Sequence, residues 1–138
     1  MNNHKINLLN YLAGIIDGEG TIRIKKQKPR KRHNKGFYYF GLVSCGMTDK
    51  RPLILLMKTF GGKIYERKRS NRKPSWDWIV VCNQAINCCK KLLPYLIIKK
   101  ERAKICLKLD LHKIQTKGRE KIQEKNKFRE KLFQQQNG

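Results

Sequence analysis

Acidic residues are scarce in this sequence. Ten Asp and Glu stand against 33 Lys and Arg, which leaves a formal net charge of +23 on 138 residues. Solubility asks for a charge of only about 2–8 on a small domain. The surplus therefore points to a polyanionic partner. An anionic membrane surface competes with nucleic acid for that role, but no apolar run reaches the roughly 20 residues of a membrane span. The Lys5–Ile16 stretch superficially resembles a signal peptide, yet it lacks an A-x-A-like cleavage site and runs into acidic residues. Cysteine is present but unpaired in pattern. Cys45, Cys82, Cys88, Cys89 and Cys106 contain no C-x-x-C, and their number is odd. That argues against zinc and for buried, reduced thiols in an intracellular protein, whether in a prokaryotic cytoplasm or an organelle, and not a secreted one.

The chain is organised around Leu12-Ala13-Gly14-Ile15-Ile16-Asp17-Gly18-Glu19-Gly20. Ile6, Leu8, Leu9, Leu12, Ile15 and Ile16 have helical rather than alternating spacing. Two glycines interrupt that helix, and each costs about 1 kcal/mol relative to alanine. Gly14 and Gly18 lie four apart, on one face, where small residues let two backbones approach closely. An ordinary buried helix ended by a glycine turn accounts for the apolar residues but not for Gly14, Gly18 and Glu19 together. The helix also carries carboxylates to its C-terminal tip, where the macrodipole disfavours them. A cation would relieve that tip.

Further along, the pattern reads helix, strand, strand, helix, strand, strand, helix, followed by C-terminal helices. The first helix is expected over 5–17 and the first strand over 21–27, with Ile22 and Ile24 on one face and Arg23, Lys25 and Gln27 on the other. A basic loop, KPRKRHNKG, leads to a second strand over 37–45. Thr48 is the expected N-cap of a helix ending at Phe60, before Gly61-Gly62. Strands over 63–68 and 76–82 flank the turn SNRKPS. Asn83 is the expected cap of the next helix, and another helix follows over 99–112. Residues 1–115 are expected as the main domain, with 116–138 as a basic helical extension of it.

A sheet with helices on one face leaves the other face for a partner. On the third strand that face holds Tyr65, Arg67 and Arg69. Basic side chains in register suit the major groove, where Arg pairs with guanine and Gln with adenine. On the fourth strand Trp76 and Trp78 are expected in the core and Asp77 and Ile79 outside. Asp77 either accepts from a cytosine amino group or pairs with an arginine. In the basic loop, Lys31, Arg32 and Lys35 are placed to meet phosphates, and Lys28 and Arg30 are expected to bind the same polyanion.

The nonapeptide Leu12–Gly20 resembles the signature of the LAGLIDADG homing endonucleases, with Glu19 at its penultimate acidic position. The segment Leu93-Pro94-Tyr95-Leu96-Ile97-Ile98-Lys99 is a second match, and the similarity runs from about Leu8 to about Leu109. The resemblance implies an α+β fold, αββαββα, with an antiparallel saddle-shaped sheet. It implies that Glu19 and a lysine after the LPYL-like turn, Lys99 with Lys100 as fallback, are catalytic. It implies a divalent cation, Mg²⁺ first, held by Glu19 and the Gly20 backbone carbonyl. It places Tyr38, Phe40 and Leu42 toward double-stranded DNA. One signature motif implies a homodimer, with Ala13, Gly14, Asp17 and Gly18 at the two-fold interface. The activity implied is a metal-dependent double-strand break, leaving short 3′ overhangs, in a near-palindromic site of about 20 bp, by an intron-encoded mobile element. The alternatives are a maturase that binds intron RNA and a catalytically silent DNA-binding protein of the same fold. The sequence departs from the family near the end of the second strand. A water-ordering polar residue is common there, and Ser44-Cys45 stand in its place.

Overall fold

Apolar residues at helical spacing build α1 (Asn3–Glu19), which buries Leu9, Leu12, Ala13 and Ile16. The computed structural model describes residues 3–28, 37–68, 70–116 and 122–137, with the side chains of 122–125 excepted. Arg30, Lys31, Arg32, Lys35 and Arg69 lie outside the described residues. From the tip of α1 the chain enters β1 (Gly20–Gln27), then β2 (Tyr38–Met47), α2 (Arg51–Phe60), β3 (Lys63–Arg67), β4 (Ser75–Val81), α3 (Cys82–Leu92), α4 (Lys100–Gln115) and α5 (Ile122–Gln135). The strands form one antiparallel sheet in the order β1-β2-β4-β3.

Alternation fixes the two faces of the sheet. Ile22 and Ile24 of β1, Tyr39 and Val43 of β2, and Trp78 and Val80 of β4 all turn to the helices and are buried. Leu53 and Leu56 of α2, Leu92 of α3 and Leu109 of α4 close the same core. Trp78 satisfies its indole by donating Nε1–H to the Gly61 carbonyl at 2.8 Å. Gly61 and Gly62 end α2 at φ 83° and 87°. Both sit in the left-handed region that glycine adopts without strain. A Cβ on Gly62 would stand 2.5 Å from the Ile79 carbonyl oxygen.

Two expected caps are corrected. Helix α2 starts at Arg51, with Lys50 before it and no side-chain cap, rather than from Thr48. The Asp49 carboxylate accepts the Arg51 backbone N–H at 3.0 Å and the Arg51 guanidinium as well, so it organises this entry instead. Helix α3 starts at Cys82, directly from β4, with Val81 at the cap position and no bond from Asn83.

Helix α5 packs on α4 and on β1, the edge strand of the sheet. Gln136, just beyond it, acts as a surrogate strand. Its Oε1 accepts the Ile24 N–H at 2.7 Å and its Nε2 donates to the Ile24 carbonyl at 2.9 Å. Glu130 accepts from the Tyr39 hydroxyl and pairs with Lys26 at 2.8 Å. Phe133 meets Tyr39 edge to face. All five cysteines are free. Cys45, Cys88, Cys89 and Cys106 are buried, whereas Cys82 is exposed, contrary to expectation for that one thiol. No helix of the described residues is long and apolar enough to cross a membrane.

Candidate nucleic-acid interface and metal-binding tip

Among the described residues, the outer face of the sheet is built by β1, β2, β4 and β3 in turn. Arg23 and Gln27 are exposed and Lys25 half-buried along β1, and each faces an outer residue of β2 across the ladder: Arg23 opposite Leu42, Lys25 opposite Phe40, Gln27 opposite Tyr38. Lys28 follows, exposed. The aromatic strip is graded in access. Tyr38 is 61% exposed, Phe40 is half-buried, and Leu42 is only 8% exposed although it lies on the outer face. Across the sheet, Tyr65 faces Asp77 and Arg67 faces Ser75, while Ile79 sits between Ser44 and Lys63. Arg67 and Asp77 form an ion pair and a hydrogen bond. Of the two roles left open for Asp77, pairing with an arginine is the one observed.

At the end of this face stands the tip of α1. Glu19 is exposed and no ion pair engages it among the described residues. Asp17, two residues earlier, is used differently. Its carboxylate accepts the Ile97 N–H at 2.8 Å and the Lys99 N–H at 3.0 Å. Burial works to raise the Asp17 pKa, but the backbone donors of Ile97, Lys99 and Ile98, with the Lys99 charge, outweigh it and hold the carboxyl below its ordinary range. The Lys99 ammonium closes the loop by donating to the Asp17 carbonyl at 2.6 Å. Lysine and helix tip are thereby fixed together. The lysine also neutralises a C-terminal carbonyl of α1, where cations are favoured.

Asp17 was expected at a subunit interface, but its carboxylate serves the protomer. Ala13 is corrected outright, since it is fully buried in the protomer core with Leu9, Leu12 and Ile16. Gly14 and Gly18 remain exposed, and a Cβ on either would meet nothing. Gly20 is buried where β1 begins, opposite Cys45, with Ile16 backbone only 2.9 Å from where a Cβ would lie.

The departure at the end of β2 resolves into two faces. Cys45 is buried beneath the site, and its thiol is pushed up to about 11 by burial first and by the Glu19 charge next. It stays protonated and is no nucleophile. Ser44 lies on the outer face opposite Ile79. Next on that face comes Gly46, which has no side chain to order water.

One cavity of about 470 Å³ adjoins the tip, lined by Glu19, Gly46, Thr48, Arg67, Arg72 and Lys73 among others. Arg72 and Lys73 belong to the SNRKPS turn, and no spacing or motif in the sequence links them to a site. Only the fold brings that turn to Glu19. No cluster of three or more His, Cys, Asp or Glu forms among the described residues. Glu19 is the one acid among the residues that line this cavity, a hard oxygen donor of the right type for a divalent cation but too few in number.

No family model matches the sequence, and no curated protein matches it. Solved structures do. The homing endonuclease I-CvuI in complex with its target in the presence of Ca²⁺ is 26% identical, with a TM-score of 0.70 over 84% of this chain and 73% of that one. The same endonuclease with the I-CreI target and Mg²⁺, the DNA not cleaved, gives 25% identity and 0.68 over 83% and 73%. The I-SmaMI LAGLIDADG homing endonuclease bound to cleaved DNA is 21% identical, with a TM-score of 0.71 over 96% of this chain and 44% of that one. At that identity the likeness is one of fold. In its fold this chain is similar to the LAGLIDADG homing endonucleases.

Proposed function

We propose that the protein is a site-specific, metal-dependent endonuclease that makes a double-strand break in DNA as a homodimer. The observation that carries this reading is Glu19. It stands exposed at the tip of α1, where the basic outer face of the sheet ends. A regulator that only binds DNA has no need of an acid there, next to the phosphates it must attract.

Gly14 and Gly18 are open on α1, and Ile97 and Ile98, 84% and 73% exposed, lie beside its tip. Two copies packed on this surface bring two Glu19 carboxylates together about a two-fold axis. Glu19 of each protomer and the Gly20 carbonyl would hold Mg²⁺ or another divalent cation. That cation supplies water activation and charge stabilisation at a phosphodiester. The chain's own residues do the rest. Arg23, Lys25 and Gln27 reach bases from β1, and Arg67 does so from β3, while Tyr38 offers apolar contact to thymine methyls. Lys99, fixed to the helix tip, stabilises charge developing on phosphate.

The test is incubation of the purified protein with supercoiled plasmid carrying candidate target sequences. Linear product with Mg²⁺, and none with EDTA, is the expected outcome. Tight binding without cleavage under any divalent cation would make the protein a silent DNA-binding relative.

A further inference from the structure

The turn between β3 and β4 holds two cations that neither the sheet register nor the metal-binding tip explains. Asn71 takes φ 70° in this turn, and Arg72, Lys73 and Pro74 follow it, all exposed. Arg72 and Lys73 line one cavity with Glu19. Arg67 lines it too, but Asp77 neutralises that guanidinium. The pair fits because residue 46 is glycine, since a Cβ there would lie 2.6 Å from the Asp77 carboxylate and 3.1 Å from the Arg67 guanidinium. Arg72 and Lys73 make no ion pair among the described residues, with Glu19 or with any other acid. The cavity thus presents two uncompensated cations facing one carboxylate. Once a divalent cation neutralises Glu19, the excess positive charge fits an anion, and a chain of phosphodiesters crossing the tip supplies one at each nucleotide.

We propose that Arg72 and Lys73 form a phosphate subsite that holds the DNA backbone against the Glu19 tip, flanking the bond to be cut. They are positioning residues that neither touch the reacting atoms nor read bases. This rests on Glu19 marking the cleavage centre of a DNA endonuclease. Phosphate contacts fix register without carrying sequence information. Loss of the subsite therefore weakens all DNA alike and leaves the cleavage centre poorly seated even when the protein is saturated.

The experiment compares wild type, R72Q/K73Q and the charge-preserving R72K/K73R. Binding is titrated over several salt concentrations in Ca²⁺, on a target duplex selected from a random library and on a duplex of scrambled sequence. Single-turnover cleavage is measured at saturating protein in Mg²⁺. R72Q/K73Q is expected to keep the wild-type melting temperature and selected sequence. Its log–log salt slope should fall in magnitude by about 2 per protomer on both duplexes. Its saturated cleavage rate should fall at least tenfold, with R72K/K73R within threefold of wild type. Unchanged slope and rate overturn the proposal, and so does altered sequence selection with an unchanged slope, which would make the turn a base reader. If wild type does not cleave but R72Q/K73Q still loses salt slope, the phosphate subsite stands and the endonuclease reading fails.

Discussion

Asp17 and Lys99 hold each other at both ends: the Asp17 carboxylate accepts the Lys99 N–H at 3.0 Å, and the Lys99 ammonium donates to the Asp17 carbonyl at 2.6 Å. The acid of the motif therefore positions the lysine, and the lysine caps the helix that carries the motif. Hydrogen bonds to charged groups contribute about 1.5–3 kcal/mol each, toward the lower end when partly exposed. Asp17→Asn keeps one acceptor but loses the charge that holds two backbone donors. It should lower stability by about 1–2 kcal/mol and reduce saturated cleavage, with DNA affinity nearly unchanged. Lys99→Met should reduce cleavage more than stability. Chemical denaturation beside single-turnover cleavage checks both, and equal losses of rate and affinity would show that Lys99 only binds.

The assembly makes a sharper demand. A Cβ on Gly14 meets nothing within the protomer. Gly14→Leu should therefore leave the protomer folded and abolish the dimer. Analytical ultracentrifugation should find wild type as a dimer and the variant as a monomer of unchanged circular dichroism. Wild type sedimenting as a monomer, with and without DNA, refutes the two-fold interface.

The base reading proposed for β3 uses an arginine, Arg67, that Asp77 holds. Arg67→Ala should cost about 1–3 kcal/mol on the matched site and relax preference at one base pair in each half-site. Asp77→Asn should broaden the same position without removing it, because the guanidinium stays but loses its lateral partner. Binding-site selection on both variants tests this. An unaltered selected sequence for Arg67→Ala means that β3 does not read bases.

Much of this fold was legible in the sequence because its signals are local. Ile22 and Ile24 alternate with Arg23 and Lys25, and Trp78 alternates with Asp77 and Ile79, so the two sheet faces follow from the pleat. Ala13 was readable but misassigned: it follows Leu9 by four and precedes Ile16 by three, which puts it on the buried side of α1, not with Gly14. The caps failed because a cap rests on one side-chain bond, and Asp49 and a strand running straight into α3 displaced it. The cations of the β3–β4 turn and the clasp on β1 were not legible at all. Gln136 meets Ile24 across 112 residues of sequence, and no periodicity announces such a contact.

That clasp gives a stability prediction. Gln136→Ala leaves the Ile24 N–H and carbonyl without their partners on a buried edge. An unsatisfied buried polar group costs about 1–3 kcal/mol, and a fall in stability of this size is expected. Amide hydrogen exchange at Ile24 should accelerate in step, and an unchanged rate there would mean that the edge is covered by other means.

Glu130 sets a pH dependence. Its bonds to Lys26, Tyr39 and Gln134 hold its carboxyl at about 2, below the ordinary carboxylate value of 4.5. A depressed folded pKa contributes stability that is fully present above the unfolded pKa and is lost as pH falls through the folded one. Wild type should lose stability between about pH 5 and pH 2. Glu130→Gln should be less stable at pH 7 and show a flatter acid limb. Thermal melts across that range decide it, and parallel curves for the two proteins would rule out this contribution.

Glu19 carries the central claim, and one paired measurement reaches it most directly. Glu19→Gln keeps the size and hydrogen-bonding capacity of the side chain but removes the charge that a divalent cation needs. Double-strand cleavage of a selected target in Mg²⁺ and affinity for the same duplex in Ca²⁺ are measured on wild type and variant together. The account predicts cleavage by wild type, none by Glu19→Gln, and affinities within a few-fold of each other. Full cleavage by Glu19→Gln would contradict it.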